Sequence, residues 1–140
     1  GIGFAVKSLS NLIKHCIDKT VSVSDTNGIT SMQGWIIGYL YHHSDSQDAF
    51  QHDLENKFNI RRSTATGILQ RMERDGLIIR EPFEDDARRK KIILTEKAIG
   101  IHENVMRAIA QVEKRITDGL TKEETDTFLR ILEKIKENIE

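Results

Sequence analysis

The chain has 140 residues, 38% hydrophobic and 31% charged, with a net charge of −1. That length and balance fit one domain able to bury its own core and exclude a disordered chain. No run reaches the ~20 apolar residues of a membrane span, so no membrane partner is expected. The single cysteine, Cys16, excludes an internal disulfide and points to a reducing, cytoplasmic compartment. A start at Gly1 rather than Met is expected of a trimmed or tagged N-terminus. Near-zero net charge leaves nucleic acid open as a partner, because the placement of cations matters more than their sum.

In chain order, Phe4, Leu9, Leu12, Ile13, Cys16 and Ile17 recur at roughly helical spacing. "SVSDTNG" then reads as a loop. Thr30, with Gln33 three residues on, can cap a second helix, which carries Trp35, Ile36, Tyr39 and Leu40 on one side. "HHSDSQD" is a turn-rich break before a short helix with Leu54 and Phe58 inward. "NI" makes a tight turn into a helix from Arg62 to about Arg74, in which Ala65, Ile68, Leu69 and Met72 share a face. Gly76 is placed to cap it in the left-handed conformation. Leu77 to Glu81 and Lys90 to Leu94 read as strands, joined by "PFEDDARR", a connection too long for a tight turn. Thr95 can cap a long helix to about Asp118, striped by Ala98, Ile101, Val105, Ile109, Val112 and Ile116. "TKEE" at Thr121 is a capping box for a last helix bearing Phe128, Leu132, Ile135 and Ile139.

Two helices joined by a short turn, then a two-stranded hairpin, is the order of a winged helix-turn-helix. The fold class expected is therefore mainly α, in the order α-α-α-α-β-β-α-α, as a single domain over residues 1–140. In such a unit the second helix enters the DNA major groove. With Ala65, Ile68, Leu69 and Met72 turned inward, Arg62, Ser63, Thr66, Gly67, Gln70 and Arg74 face out. Arg62 and Gln70 can make bidentate contacts to guanine and adenine edges, and Ser63 and Thr66 can bond phosphate or base. Gly67 costs roughly 1 kcal/mol against Ala in mid-helix, a cost that close approach of the helix backbone to DNA would justify. The hairpin tip carries Arg88, Arg89, Lys90 and Lys91, cations suited to a narrow minor groove. Asp85 and Asp86 beside them can orient an arginine through a bidentate pair. Lys57, Arg61, Arg71 and Arg74 are placed for phosphate contacts.

Other classes fit less well. A protein-binding winged helix would show a neutral or acidic second helix and a wing without cations. An enzyme would need a phosphate loop, a metal motif or a nucleophile constellation, and the chain has none.

The string from Arg61 to Thr95 resembles the MarR family of bacterial transcriptional regulators. The likeness rests on Ser63-Thr64 opening the recognition helix, Gly76-Leu77-Ile78 ending it, Asp86-x-Arg88 on the wing, and Leu94-Thr95 closing the hairpin. The resemblance covers nearly the whole chain. It implies a homodimer built from interlocking terminal helices (about 1–22 and 95–140) around winged-helix lobes at about 46–95. It also implies a repressor bound to pseudo-palindromic double-stranded DNA and released by a small phenolic or lipophilic effector. Arg88 would be the wing arginine and Asp86 its partner, with Arg62, Ser63, Thr64 and Thr66 lining the major-groove face. Gly67 departs from the larger, often basic residue that relatives carry there.

The apolar last helix independently favours dimerisation through Phe128, Ile131, Leu132, Ile135 and Ile139, which have little of their own chain to pack against. The effector cleft implied by the family would be lined by His15, Trp35, Tyr39, His102 and Met106. Some relatives sense peroxide through a cysteine or bind zinc. Cys16 instead reads as a buried, inert thiol on the apolar stripe. Adjacent His42 and His43 fit a helix C-terminus better than a metal site. No cofactor and no metal is expected.

Overall fold

The computed structural model describes residues 1–21, 26, 28–43, 47–84 and 86–140, and of Ala87 only the backbone. Among these residues lie six helices and one two-stranded sheet. In order they are α1 (Ile2–Thr20), α2 (Ser31–His43), α3 (Gln51–Phe58), α4 (Arg62–Arg74), β1 (Ile78–Phe83), β2 (Asp86–Leu94), α5 (Glu96–Thr117) and α6 (Lys122–Ile139). This is the mainly helical winged helix-turn-helix order that the sequence predicts. Most of the "SVSDTNG" loop, and residues 44–46 of the second break, lie outside the described residues. The chain forms two compact units, one of residues 21–107 and one of residues 1–20 with 108–140.

In the 21–107 unit each element starts and stops where local chemistry dictates. Thr30 and Gln33 exchange hydrogen bonds at the head of α2, the Thr30 N–H donating to Gln33 Oε1 at 3.0 Å and the Gln33 N–H to Thr30 Oγ1 at 3.1 Å. Two otherwise orphaned amides are thereby satisfied. At the head of α3, Asp53 accepts from the Phe50 N–H at 2.8 Å. Asn59 closes α3 in the left-handed conformation at φ 51°, which short polar side chains tolerate. α4 ends in a Schellman turn: Gly76, at φ 74°, donates to Glu73 O, and Leu77 donates to Met72 O at 2.8 Å. Thr95 then knots the end of α4 to the start of α5. Its hydroxyl lies 2.7 Å from Gly76 O and accepts from the Ala98 N–H.

The core is built from Ile36, Ile37, Leu40, Leu54, Leu69, Met72, Leu77, Ile78, Ile92, Ala98 and Ile101. Ala65, Leu69 and Met72 are buried on α4, with Ile68 packed at the margin, so the predicted inward face of this helix is the observed one. On α2 one expectation fails. Trp35 is 63% exposed and Ile37 takes the inward place. Gln33, Ile36, Ile37 and Leu40 follow the i, i+3, i+4, i+7 rule, and Trp35 falls one residue outside that stripe.

The wing also differs from its prediction. The strands run to the tip, leaving only residues 84 and 85 between them, where the sequence reads as an eight-residue connection. The irregularity sits inside β2 instead. Pro82 pairs with Lys90 and Phe83 with Asp86, so residues 87–89 have no partner across the ladder. A proline brings no N–H to a ladder and is tolerated at such bulges.

In the second unit, α6 begins with the predicted capping box. Thr121 Oγ1 accepts from the Glu124 N–H, and Glu124 Oε1 from the Thr121 N–H, both at 3.0 Å. Neither α1 nor α6 has a buried residue. Val112 on α5 is buried, while Phe4 is 80% and Phe128 48% exposed. Cys16 is only half-buried, and its Sγ accepts from Arg115 Nη1 at 3.3 Å. The expectation of a buried thiol is therefore corrected.

Candidate nucleic-acid interface

The outward side of α4 is polar along its whole length. Arg61, Arg62, Ser63, Thr64, Gln70, Arg71 and Arg74 are exposed, and Thr66 and Gly67 are half-buried. The first turn of α4 holds no acidic residue, and its N-cap residue Arg61 makes no side-chain capping hydrogen bond. Its leading N–H groups and the positive end of its dipole therefore stand open to an anion. Among the described residues, no atom beyond its chain neighbours and the backbone of its own helix lies within 4 Å of where a Cβ on Gly67 would stand. Packing within the chain thus gives no reason for a glycine there.

Facing this helix, the wing and the head of α3 enclose a cleft of about 480 Å³. Arg62, Arg80, Arg88, Arg89 and Lys90 line it, and among the described residues Glu55 brings the one carboxylate. The cations thus gather at one concave surface although the whole chain is nearly neutral. Such clefts focus the field on an approaching polyanion.

Each wing cation is placed differently. Arg88 is 94% exposed at its side chain, with Nε 3.6 Å from Asp86 Oδ1. The expected Asp86–Arg88 pair is present but is not bidentate. The same carboxylate oxygen accepts the Arg88 N–H at 3.0 Å, so Asp86 shapes the bulge as much as it aims the guanidinium. Arg89 lies over the Phe50 ring at 4.1 Å and 5.5 Å from that of Phe83, and the two rings meet edge to face. A cation held on aromatic faces is fixed in direction. Lys91 turns back to Glu81, 3.9 Å away. Asp85 lies outside the described residues.

Two contributors escape a reading of the sequence. Arg80 joins the wing to α4 through Glu73 at 3.2 Å, and its hydrogen bond, then its charge, hold the Glu73 carboxyl below its ordinary range. The signal was its spacing, two residues after the buried Ile78, which puts a charge on an inward-facing strand position. Gln51 donates from Nε2 to Thr66 Oγ1 at 2.9 Å and to Arg62 O at 3.3 Å. Nothing in the sequence around Gln51 marks it.

The predicted effector-lining residues divide between the units. His15 lies exposed on α1, in the unit of residues 1–20 and 108–140. In the other unit Trp35 is exposed, and Tyr39 stacks on His43 at 5.0 Å and meets Phe58 edge-on at 6.0 Å. Burial raises the Tyr39 phenol above its usual range, with a smaller push from Asp53. Met106 is 39% exposed. His102 is buried against Tyr41, with ring centroids 4.4 Å apart. Burial, and then the neighbouring His42, lower its pKa. Among the described residues no cluster of three or more metal-ligating side chains occurs.

The MarR-family sequence profile matches residues 27–89. A homoprotocatechuate degradative operon repressor of Escherichia coli is 34% identical over 72% of this chain and 67% of its own. The chain belongs to the MarR family. It is a transcriptional regulator, not an enzyme. Solved MarR-family structures share its fold. Staphylococcus aureus MepR in complex with DNA matches with a TM-score of 0.74 and 25% identity, over 100% of this chain and 97% of that one. The same protein bound to ethidium bromide matches with a TM-score of 0.74 and 26% identity, over 100% and 97%. Among the described residues no helix of this MarR-family chain is long and apolar enough to cross a membrane.

Proposed function

We propose that this chain is a cytoplasmic repressor that binds a pseudo-palindromic operator in double-stranded DNA as a homodimer and leaves it when a small phenolic or lipophilic effector binds. The observation that carries the reading is the cationic cleft, which sets Arg62 of α4 and Arg88–Lys90 of the wing on one concave surface. A recognition helix seated in the major groove would use Ser63, Thr66 and Gln70 on base edges, with Arg61, Arg71, Arg74 and the wing cations on phosphates. Resemblance to a regulator solved on DNA supports this assignment.

Dimerisation is supported by α6. Phe128 and Ile131 are exposed and Leu132 and Ile135 half-covered within the single chain, an apolar row that a two-fold partner would bury. The effector is supported by the relative solved with ethidium, a planar lipophilic cation.

The test is selection from a random duplex pool at ~150 mM salt, followed by sequencing of the bound fraction. An enriched inverted repeat with half-sites roughly 34–36 Å apart is the expected result. Weak, salt-sensitive binding without enrichment would point instead to a winged-helix module whose partner is a protein.

A further inference from the structure

We infer that Gln51, on α3, is a specificity-determining residue: by filling one lone pair of the Thr66 hydroxyl it biases that group towards donating, so that the recognition helix disfavours cytosine at one base of each half-site. The inference rests on the DNA-binding reading above.

The geometry fixes the direction of every proton. The Arg62 carbonyl can only accept, so the group facing it at 3.3 Å is the Gln51 amide nitrogen. That nitrogen has two protons and no lone pair to offer. Its second proton therefore goes to Thr66 Oγ1 at 2.9 Å. A helical threonine usually gives its own proton to the carbonyl four residues back. Thr20 does so to Cys16 O at 2.8 Å, and Thr117 to Glu113 O at 3.0 Å. For Thr66 that carbonyl is Arg62 O, which Gln51 already occupies. Among the described residues nothing accepts the Thr66 proton.

Thr66 and Gln51 both line the cationic cleft, where the free proton can meet the DNA. Major-groove acceptors are the purine N7 atoms, guanine O6 and thymine O4, whereas cytosine presents an amino donor. With one lone pair filled by Gln51, the hydroxyl gains most from the first group, whereas the cytosine amino group could reach only its remaining lone pair and would leave the proton unplaced. Gln51 itself needs no contact with a base; it acts by positioning.

The experiment uses the full chain and the operator returned by the pool selection. Every base pair of a half-site is replaced in turn, and competitive binding is measured for wild type, Q51M, T66V and Q51E. At one base pair wild type should reject cytosine by roughly tenfold, about the net value of one hydrogen bond. Q51M and T66V should each relax that preference to within about twofold and leave the other positions unchanged, and the double variant should add nothing further. In Q51E the carboxylate accepts the Thr66 proton, so preference at that pair should move towards cytosine. If the variants weaken all sequences alike, Thr66 contacts phosphate and the inference is overturned; unaltered preference overturns it equally. If the selection returns no operator, the DNA-binding reading itself falls, before any variant is compared.

Discussion

α4 and α6 are both amphipathic helices with an apolar stripe at helical spacing, and they end in opposite circumstances. α4 buries Ala65, Leu69 and Met72 completely against its own unit, leaving Leu69 at 0% exposure. α6 buries nothing, with Leu129 53% and Ile139 81% exposed. α6 has the better local start, a two-way capping box, whereas α4 has no side-chain cap. A helix thus needs either a strong terminus or a packed face. Where its own chain covers a helix only in part, local capping carries more of the start, and the homodimer proposed above would supply the remaining cover.

The comparison can be broken most sharply in the core. Leu69→Ala should destabilise the chain by about 2–5 kcal/mol, because the surroundings cannot collapse fully into the space left. Phe128→Ala should change the unfolding free energy of the monomer by less than about 1 kcal/mol. Chemical denaturation of both variants at low protein concentration measures the contrast, and equal losses would mean that α6 is packed within its own chain.

The next effect concerns assembly. In the homodimer proposed above, Ile135→Asp should raise the dissociation constant more than ~30-fold, the scale of a central interface residue. Light scattering across a dilution series reads this directly, and an undisturbed dimer would move the interface away from α6. On the DNA side, Arg88→Ala should flatten the slope of log affinity against log salt by about 0.9 if one phosphate contact is lost. A loss that depends on A·T content would instead assign Arg88 to a narrow minor groove.

Acid should separate the two helices by a smaller amount. The Glu124 carboxyl is held below its ordinary range by its hydrogen bonds to Thr121, and Glu73, on α4, by its bond to Arg80. In both, the folded pKa is lower than the unfolded one. Their stabilisation is therefore complete above the usual carboxylate value of 4.5 and is lost as pH falls through the lowered value. Glu124→Gln should remove the acid sensitivity of the α6 cap alone, seen as a shallower loss of helical circular dichroism below pH 4.5.

The smallest expected effect is the most diagnostic of α4. Gly67→Ala should stabilise the free protein by up to ~1 kcal/mol, since among the described residues the added methyl meets nothing beyond its own helix. If the helix backbone must approach DNA closely, the same change should weaken operator binding. A gain in stability with unaltered binding would leave Gly67 without that purpose.

Much of this architecture was legible because it follows from local rules. The span of α4, the cap at Gly76 and the two capping boxes are each set by residues within a few positions of one another. What escaped was non-local or offset by one residue. Trp35 sits beside the stronger stripe of Ile36, Ile37 and Leu40, and large aromatic side chains invite an inward assignment. The length of the wing strands depended on how Pro82 and residues 87–89 share the mismatch in register, which periodicity alone does not fix. Arg80 and Gln51 act through partners 7 and 15 residues away in sequence, Glu73 and Thr66, contacts that appear only once the turn and the hairpin have folded.

The knot at Thr95 has a consequence for motion. The amides of Gly76, Leu77, Thr95 and Ala98 donate respectively to Glu73 O, Met72 O, Leu77 O and Thr95 Oγ1. They span the end of the recognition helix, the foot of the wing and the start of α5. In hydrogen exchange these four protons should behave as one cooperative unit, opening together rather than in sequence. The recognition helix and the wing would then keep a fixed angle through every fluctuation short of opening that corner, and the protein would meet a groove with a rigid tool rather than two hinged fingers.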